Sequence, residues 1–293
     1  MGLGRPHLQL SSARKKAIVA HPVVRAPRSI WRADGETRSE RAIPEETAIA
    51  FTFNTASYAV MMATPQDLDD FALGFALTEG VVSSPDAIES IEIAETEDVG
   101  IELRIWLKAP YAAEFLGRRR KIAGPTGCGL CGIESLTEAM RPPPRVDAGS
   151  DFSPEQIMQA IESVFPAQVL NHETRAVHAA GFWEPSRGLI ALREDVGRHN
   201  ALDKLAGALA RASVSSNTGI VVLTSRVSVE MVQKSAAFGA PVIVAVSAPT
   251  ALAVRMANAA GMTLVAIARK DGFEVFTNPQ RIKRPAACGL QPL

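Results

Sequence analysis

The pattern of apolar and polar positions divides the chain in two. Between residues 43 and 62 lie two β-rich runs, Ala48–Phe53 and Tyr58–Met62. The short link Asn54–Ser57 between them predicts a hairpin. A helix is expected next. Thr64 suits an N-cap, Pro65 the first turn and Gly80 the C-terminal glycine. Leu68, Phe71, Ala72 and Phe75 recur on one face, which should pack on the β-rich runs. Further on, Ile101, Leu103, Ile105 and Leu107 alternate with Glu102, Arg104, Trp106 and Lys108, the signature of a strand with one buried face. Ile91 and Ile93 supply its neighbour. A helix is expected to begin near Ile133.

The run Arg141-Pro-Pro-Pro-Arg145 breaks the chain and reads as a linker. Beyond it the periodicity changes. Ser153 and Pro154 open a helix carrying Ile157, Ile161 and Val164. Another helix begins near Asn200, with Leu202, Leu205 and Leu209 on one face. Ile220–Leu223 and Val242–Val246 are continuous apolar runs of strand length, and Thr263–Ile267 is a third strand. Val229, Val232 and Ala236, then Thr250–Ala260, supply the intervening helices. Strands alternating with helices imply a parallel or mixed sheet covered on both faces. The fold class is therefore α/β, or α+β over the whole chain. The expected organisation is a loose tail (1–28), a smaller β-rich N-terminal domain (29–140), the linker (141–145), a C-terminal α/β domain (146–284) and a short tail (285–293).

Composition narrows the function. In 293 residues, 31 Lys and Arg balance 31 Asp and Glu. A nucleic-acid binder would show a basic excess, so no nucleic-acid partner is expected. The most apolar stretch, Ala240 to Val254, is interrupted by Ser247, Pro249 and Thr250, so no membrane span is expected. The N-terminus carries Arg14, Lys15 and Lys16 but no apolar signal-peptide run. Pro6 stands where a myristoylation motif needs Ser or Thr. Three cysteines in so long a chain are not a disulfide framework, and they fit a reducing cytoplasm. Cys288 lies in the C-terminal tail.

The other two cysteines form Cys128-Gly-Leu-Cys131, inside Gly124-Pro-Thr-Gly-Cys-Gly-Leu-Cys-Gly132. Two thiols three positions apart can reach one electrophile, one metal or each other. Four glycines deny the segment strong regular structure and let a thiol reach out of the protein. The preceding Arg118-Arg-Arg-Lys121 run favours the thiolate, the form that attacks sulfur. Structural zinc normally takes four ligands, and there is no second CxxC. A nucleobase deaminase needs H-x-E and P-C-x-x-C. Neither His172 nor His178 begins the first, and Pro125 is not next to Cys128.

Two further groups of residues suit an anion. In Glu194-Asp-Val-Gly-Arg-His-Asn-Ala-Leu-Asp-Lys204, Arg198 and His199 sit at a helix start, where backbone N–H groups and cations can hold a negative charge. The equal alternative is a solvated cap, with Asp195 an ordinary N-terminal acid. The second group lies at the carboxyl ends of the expected strands: Thr224-Ser-Arg226, Ser247 with Thr250, and Arg269-Lys-Asp-Gly272. Ligands of open α/β sheets collect there. Ser and Thr at such places also cap helices.

Taken together, these segments resemble the FdhD family of sulfur carriers that serve formate dehydrogenases. The resemblance runs from about Ala42 to Ile282. It is carried by MMATPQDLDDFALGFALTEG (61–80), CGLCG (128–132), EDVGRHNALDK (194–204), SRVSVEMVQKSA (225–236) and VSAPTALAV (246–254). It implies that Cys128 accepts sulfur from a cysteine desulfurase as a persulfide, with Cys131 as a second thiol. The sulfur would pass to a molybdenum or tungsten bis(molybdopterin guanine dinucleotide) cofactor, required by a formate dehydrogenase apo-enzyme. The family's cofactor-binding segment aligns with Ile267, Ala268, Arg269, Lys270, Asp271 and Gly272, and Arg226, Ser247, Thr250, Arg198 and His199 are candidates beside it. A C-terminal three-layer domain resembling the cytidine deaminase fold, a homodimer and no permanently bound metal are also implied. Two stretches depart from many relatives: Thr174-Arg-Ala-Val-His178, and the basic and glycine positions of 267–272. The rival functions are a cofactor-binding chaperone without sulfur chemistry and a dithiol oxidoreductase.

Overall fold

A computed structural model describes residues 21–96, 99–122, 140–146 and 148–283. The helix expected near Ile133 lies outside them. The described residues open with a two-stranded antiparallel ribbon, β1 (Val23–Arg32) and β2 (Gly35–Pro44), which joins no other sheet among them. Strand β1 thus starts inside the stretch expected to be a tail. The predicted hairpin follows as β3 (Thr47–Phe53) and β4 (Ala56–Ala63). Its turn is Asn54-Thr55, with φ of 47° and 69°. Two left-handed residues match the twist of the flanking strands.

Strands β5 (Ile88–Thr96) and β6 (Gly100–Leu107) complete a four-stranded sheet ordered β4-β3-β6-β5, with β3 and β6 parallel. Helix α1 (Leu68–Thr78) covers one face. Phe75 stacks on Phe51 at 3.9 Å between centroids, and Phe71 meets Phe51 edge-on at 4.9 Å. Gly80 follows the helix with φ +67°, as its position suggested. The helix start differs from expectation. It begins at Leu68, with Asp67 left-handed at the N-cap and making no side-chain cap. Thr64 is unavailable as a cap because its backbone and hydroxyl bind the other domain. Helix α2 (Ala109–Ile122) closes this domain.

The second domain is built on a six-stranded sheet. Its strands are β7 (His178–Glu184), β8 (Gly188–Asp195), β9 (Ile220–Leu223), β10 (Val242–Ala245), β11 (Thr263–Arg269) and β12 (Gly272–Thr277). They are ordered β12-β11-β10-β9-β7-β8, with the central β9, β10 and β11 parallel and the outer pairings antiparallel. Helices α5 (Arg198–Arg211), α6 (Val229–Ala237) and α7 (Ala251–Ala259) pack on one face through Leu202, Leu205, Met231, Val232 and Ala253. Helix α3 (Pro154–Ala167) packs on the other through Ile157, Ile161 and Val164, and the short α4 (Val169–Thr174) follows it. The domain therefore has the three layers expected. Every residue of β9 and β10 is buried, which is why both read as unbroken apolar runs. Among the described residues no helix is long and apolar enough to cross a membrane.

Helices α1 and α5 join the two domains. A Cβ on Gly74 would lie 1.7 Å from the Asp203 carbonyl oxygen, and one on Gly207 would lie 1.9 Å from that of Asp70. The two backbones touch at these glycines, an approach closed to any side chain. Helix α1 is thus buried on both sides, by its own sheet and by α5.

Candidate cofactor rim and the buried domain interface

Several charged residues of three motifs, 61–80, 194–204 and 225–236, are spent on this interface. Asp195 accepts hydrogen bonds from the Thr64 N–H (3.1 Å), the Gly197 N–H (2.8 Å), Asn200 Nδ2 (2.9 Å) and Lys204 Nζ (2.6 Å). Lys204 Nζ also donates to the Thr64 carbonyl at 2.8 Å, and both Lys204 and Asp195 have 0% exposure. The Thr64 hydroxyl accepts from the Val196 N–H, and Asn200 Nδ2 reaches the Met62 carbonyl. The reading of Asp195 as a solvated cap is therefore corrected: it is a buried anchor between domains. Glu194 is buried too, and accepts from the N–H groups of Leu170 and Asn171 at the start of α4.

A second cluster lies one turn further along the crossing. Asp203 accepts from Thr78 Oγ1 at 2.6 Å and from Lys234 Nζ at 2.9 Å, while Lys234 also meets Glu79 at 2.5 Å. Burial pushes the Asp203 carboxyl up to about 6, against the pull of Lys234. Burial disfavours the Lys234 ammonium, but Asp203 and Glu79 outweigh it and push the group up to about 12. Both groups are thus charged at neutral pH. At the far end, Asp70 sits between Arg193 (2.6 Å) and Arg211 (2.8 Å). The sequence reading missed Asp70, Asp203, Lys204 and Lys234 as structural residues. Their signal was a charge standing among apolar helix positions.

The carboxyl ends of β9, β10 and β11 form one continuous rim. The Val227 N–H donates to the Ala248 carbonyl (3.3 Å), the Thr250 N–H to Val227 (2.9 Å) and the Ile267 N–H to Ser247 (3.3 Å). Several hydroxyls expected to face a ligand are occupied by backbone. Thr224 Oγ1 accepts from the Ala179 N–H at 2.8 Å, Ser225 Oγ donates to the Arg226 carbonyl, and Thr250 Oγ1 accepts from the Ala253 N–H at 3.2 Å as the cap of α7. Thr250 is therefore a helix cap, the alternative reading for such residues. Arg226, Arg269, Lys270 and Asp271 are exposed, Ser247 and Gly272 are half-buried, and Ala268 is buried.

Ile267 stands out in this rim. Its φ is +53°, and the pairing of β11 with β12 shifts register between Ala266 and Arg269. A β-branched residue in the left-handed region is a genuine outlier. Such strain, costing about 1–3 kcal/mol, collects where a ligand or a switch requires it.

Arg198 and His199 open α5, whose N-cap Gly197 offers no side chain and whose first turn contains no acid. His199 faces α6, where its Nε2 lies 3.8 Å from Glu230. Arg198 Nε and His199 Nε2 are shielded from solvent without a hydrogen-bond partner among the described residues. Burial, then Arg198 and Lys234, lower the His199 pKa to about 4, so the ring is neutral near pH 7. His178, at the start of β7, is likewise lowered by burial and by Arg198. Cys128 and Cys131 lie outside the described residues. A shallow hollow of about 370 Å³, lined in part by Glu184, Arg187 and Thr218, is touched by none of the expected site residues. Glu184 is already bound to Arg187 and Thr218 there.

Comparison with known proteins supports one relationship throughout. The profile of the FdhD/NarQ family matches residues 44–283. A sulfur carrier protein FdhD from Agrobacterium fabrum is 51% identical over 259 residues, covering 88% of this chain and 95% of its own. One from Bordetella bronchiseptica is 44% identical over 276 residues, covering 94% and 98%. A crystal structure from Desulfotalea psychrophila, described as a formate dehydrogenase accessory protein, superposes with a TM-score of 0.71 at 26% identity, covering 90% of this chain and all of that one. These matches lead to one statement: the chain belongs to the FdhD/NarQ family.

Proposed function

We propose that this protein is a sulfur carrier for formate dehydrogenase, with Cys128 as the carrying residue and the strand-end rim as the site for a guanine dinucleotide cofactor. The observation that carries the rim is the exposed set of Arg226, Arg269 and Lys270 beside the strained Ile267, along strand ends tied edge to edge. Cations at the carboxyl edge of a parallel sheet suit phosphates. The names of the relatives support sulfur carriage, and Cys128-Gly-Leu-Cys131 supplies the thiols for it.

The chemistry balances with these two cysteines. The Cys128 thiolate attacks the outer sulfur of a desulfurase persulfide. A Cys128 persulfide forms, and the desulfurase cysteine leaves as a thiolate. Attack by the Cys131 thiolate on the inner sulfur of that persulfide forms a Cys128–Cys131 disulfide and releases hydrosulfide. The carried sulfur is reduced by two electrons as the two thiols are oxidised. The cofactor bound at the rim, with molybdenum or tungsten, is the acceptor and thus the substrate. A cysteine desulfurase, the formate dehydrogenase apo-enzyme and a second copy of this chain are the partners in this reading, in the cytoplasm.

Incubation with a desulfurase and cysteine, followed by intact-mass measurement, tests the first step. Cys128 should gain one sulfur atom, and Cys128→Ala should abolish the gain. Cofactor binding without any sulfur gain would favour a chaperone. Cycling of the two thiols to a disulfide without a persulfide would favour an oxidoreductase.

A further inference from the structure

The ribbon β1–β2 is the least covered part of the described structure. Two strands of 10 residues each span about 33 Å at the usual rise per residue. Of these residues only Ala42 is buried, where β2 passes α4, and Arg41 reaches the Thr174 carbonyl there at 3.1 Å. An isolated two-stranded ribbon is marginal in water, and this one leaves Val24, Trp31 and Ile43 exposed. Trp31, near the tip, is 75% exposed. Arg25, Arg28, Arg32, Arg38 and Arg41 outnumber Asp34, Glu36 and Glu40. Tryptophan and arginine are the residues that most often anchor protein interfaces. The ribbon precedes almost all of the family match, which starts at residue 44.

The chain also offers a surface that complements it. Among the described residues, strand β5 is an edge of the four-stranded sheet, paired only with β6. It is 9 residues long, close to the ribbon's length, and it contains no proline or lysine to guard its backbone. Its exposed side chains are the acids Glu89, Glu92 and Glu95. Natural edges are usually blocked or occupied. On the ribbon, β1 is interrupted by Pro27, which has no N–H to donate, whereas β2 keeps its N–H groups from Gly35 to Ile43.

We infer that the outer edge of β2 pairs with the β5 edge of a second copy, and that the exchange is reciprocal. The ribbon's arginine excess lies on β1 (Arg25, Arg28 and Arg32), one strand behind the charge-balanced β2. It faces the acidic edge of the partner, and the exchange repeats about a twofold axis. Each copy commits a ribbon and an edge, which is on the scale of the roughly 20–30 residues a side found in stable interfaces. The inference rests on the pairing of two copies in the reading above and assigns the surface that makes it.

Charge reversal tests it on the full chain. Light scattering on the wild type should give a dimer that weakens as salt rises. Arg32→Glu with Arg38→Glu reverses the ribbon, and Glu89→Arg with Glu95→Arg reverses the edge. Each double variant alone should dissociate at least about a hundredfold more readily, because like charges then face each other. Mixing the two variants should restore a heterodimer, since both contacts become complementary again. All four residues are exposed, so the melting temperatures should match the wild type. A dimer indifferent to both reversals, or a mixture that stays monomeric, overturns this interface and leaves dimerisation standing. A wild type that is monomeric at high concentration overturns both. Persulfide formation on Cys128 is measured separately and decides the sulfur-carrier reading by itself.

Discussion

The α1–α5 crossing and the strand-end rim both carry charged residues from the family motifs, but the two regions use them in opposite ways. At the crossing, Asp195, Lys204, Asp203 and Lys234 are buried and find hydrogen-bond partners within the protein. At the rim, Arg226, Arg269 and Lys270 are exposed at the ends of strands. A buried charge must find its partners inside the protein or cost several kcal/mol. In the proposed reading, the exposed charges beside the strained Ile267 are free to meet a ligand's phosphates. The stretch 194–204 anchors through Asp195 and Lys204, while its Arg198 and His199 open α5. Charge alone therefore does not identify a ligand site; burial and partners do.

This contrast can be broken at the crossing with large effects. Lys204→Ala leaves Asp195 buried without its ammonium partner and should cost about 3–5 kcal/mol in chemical denaturation. A cost under about 1 kcal/mol would mean that water reaches Asp195 in place of the ammonium. Gly207→Ala places a methyl 1.9 Å from the Asp70 carbonyl. It should cost about 3 kcal/mol, at the upper end of overpacking, with earlier proteolysis between the domains. Unchanged stability would show that α5 slides easily over α1.

His199, at the start of α5 and 3.8 Å from Glu230, gives a smaller, pH-dependent effect. Its native pKa of about 4 lies below the ordinary 6.5, so the native state favours the neutral ring. The associated stability is full above pH 6.5 and is lost as pH falls toward 4. His199→Gln should flatten that part of the stability curve. An identical acid-side loss in the variant would place the cause elsewhere. At the rim itself the stability effect should be smallest. Arg226→Ala with Arg269→Ala should change stability by less than about 0.5 kcal/mol. Titration with GDP should nevertheless show weaker binding than the wild type, and the wild-type affinity should fall with salt. GDP binding untouched by both substitutions would move the phosphate site away from these strand ends.

Much of the fold was legible because periodicity follows burial. The β3–β4 hairpin, α1, β6, α3 and the β9-to-β11 succession all announced themselves by apolar spacing or by turn and cap residues. The β7–β8 hairpin did not. Six of the seven residues of β7 are buried and most of β8 is half-buried, so neither shows a clean alternation. The start of α1 was misplaced for a different reason. Thr64 and Pro65 resemble a helix start locally, but Thr64 answers to Asp195 and Lys204, residues distant in sequence.

The chain by itself determined the fold class, the CxxC pair and the family, because each depends on residue types at short spacing. Only the tertiary structure decided which polar residues are anchors. Asp195 as a buried hub, Thr250 as a helix cap and Gly74 against Asp203 all depend on what another element places within hydrogen-bonding or contact distance. The left-handed Ile267 is of the same kind. No local rule favours it, and only the bulge between β11 and β12, beside Ser247, holds it there.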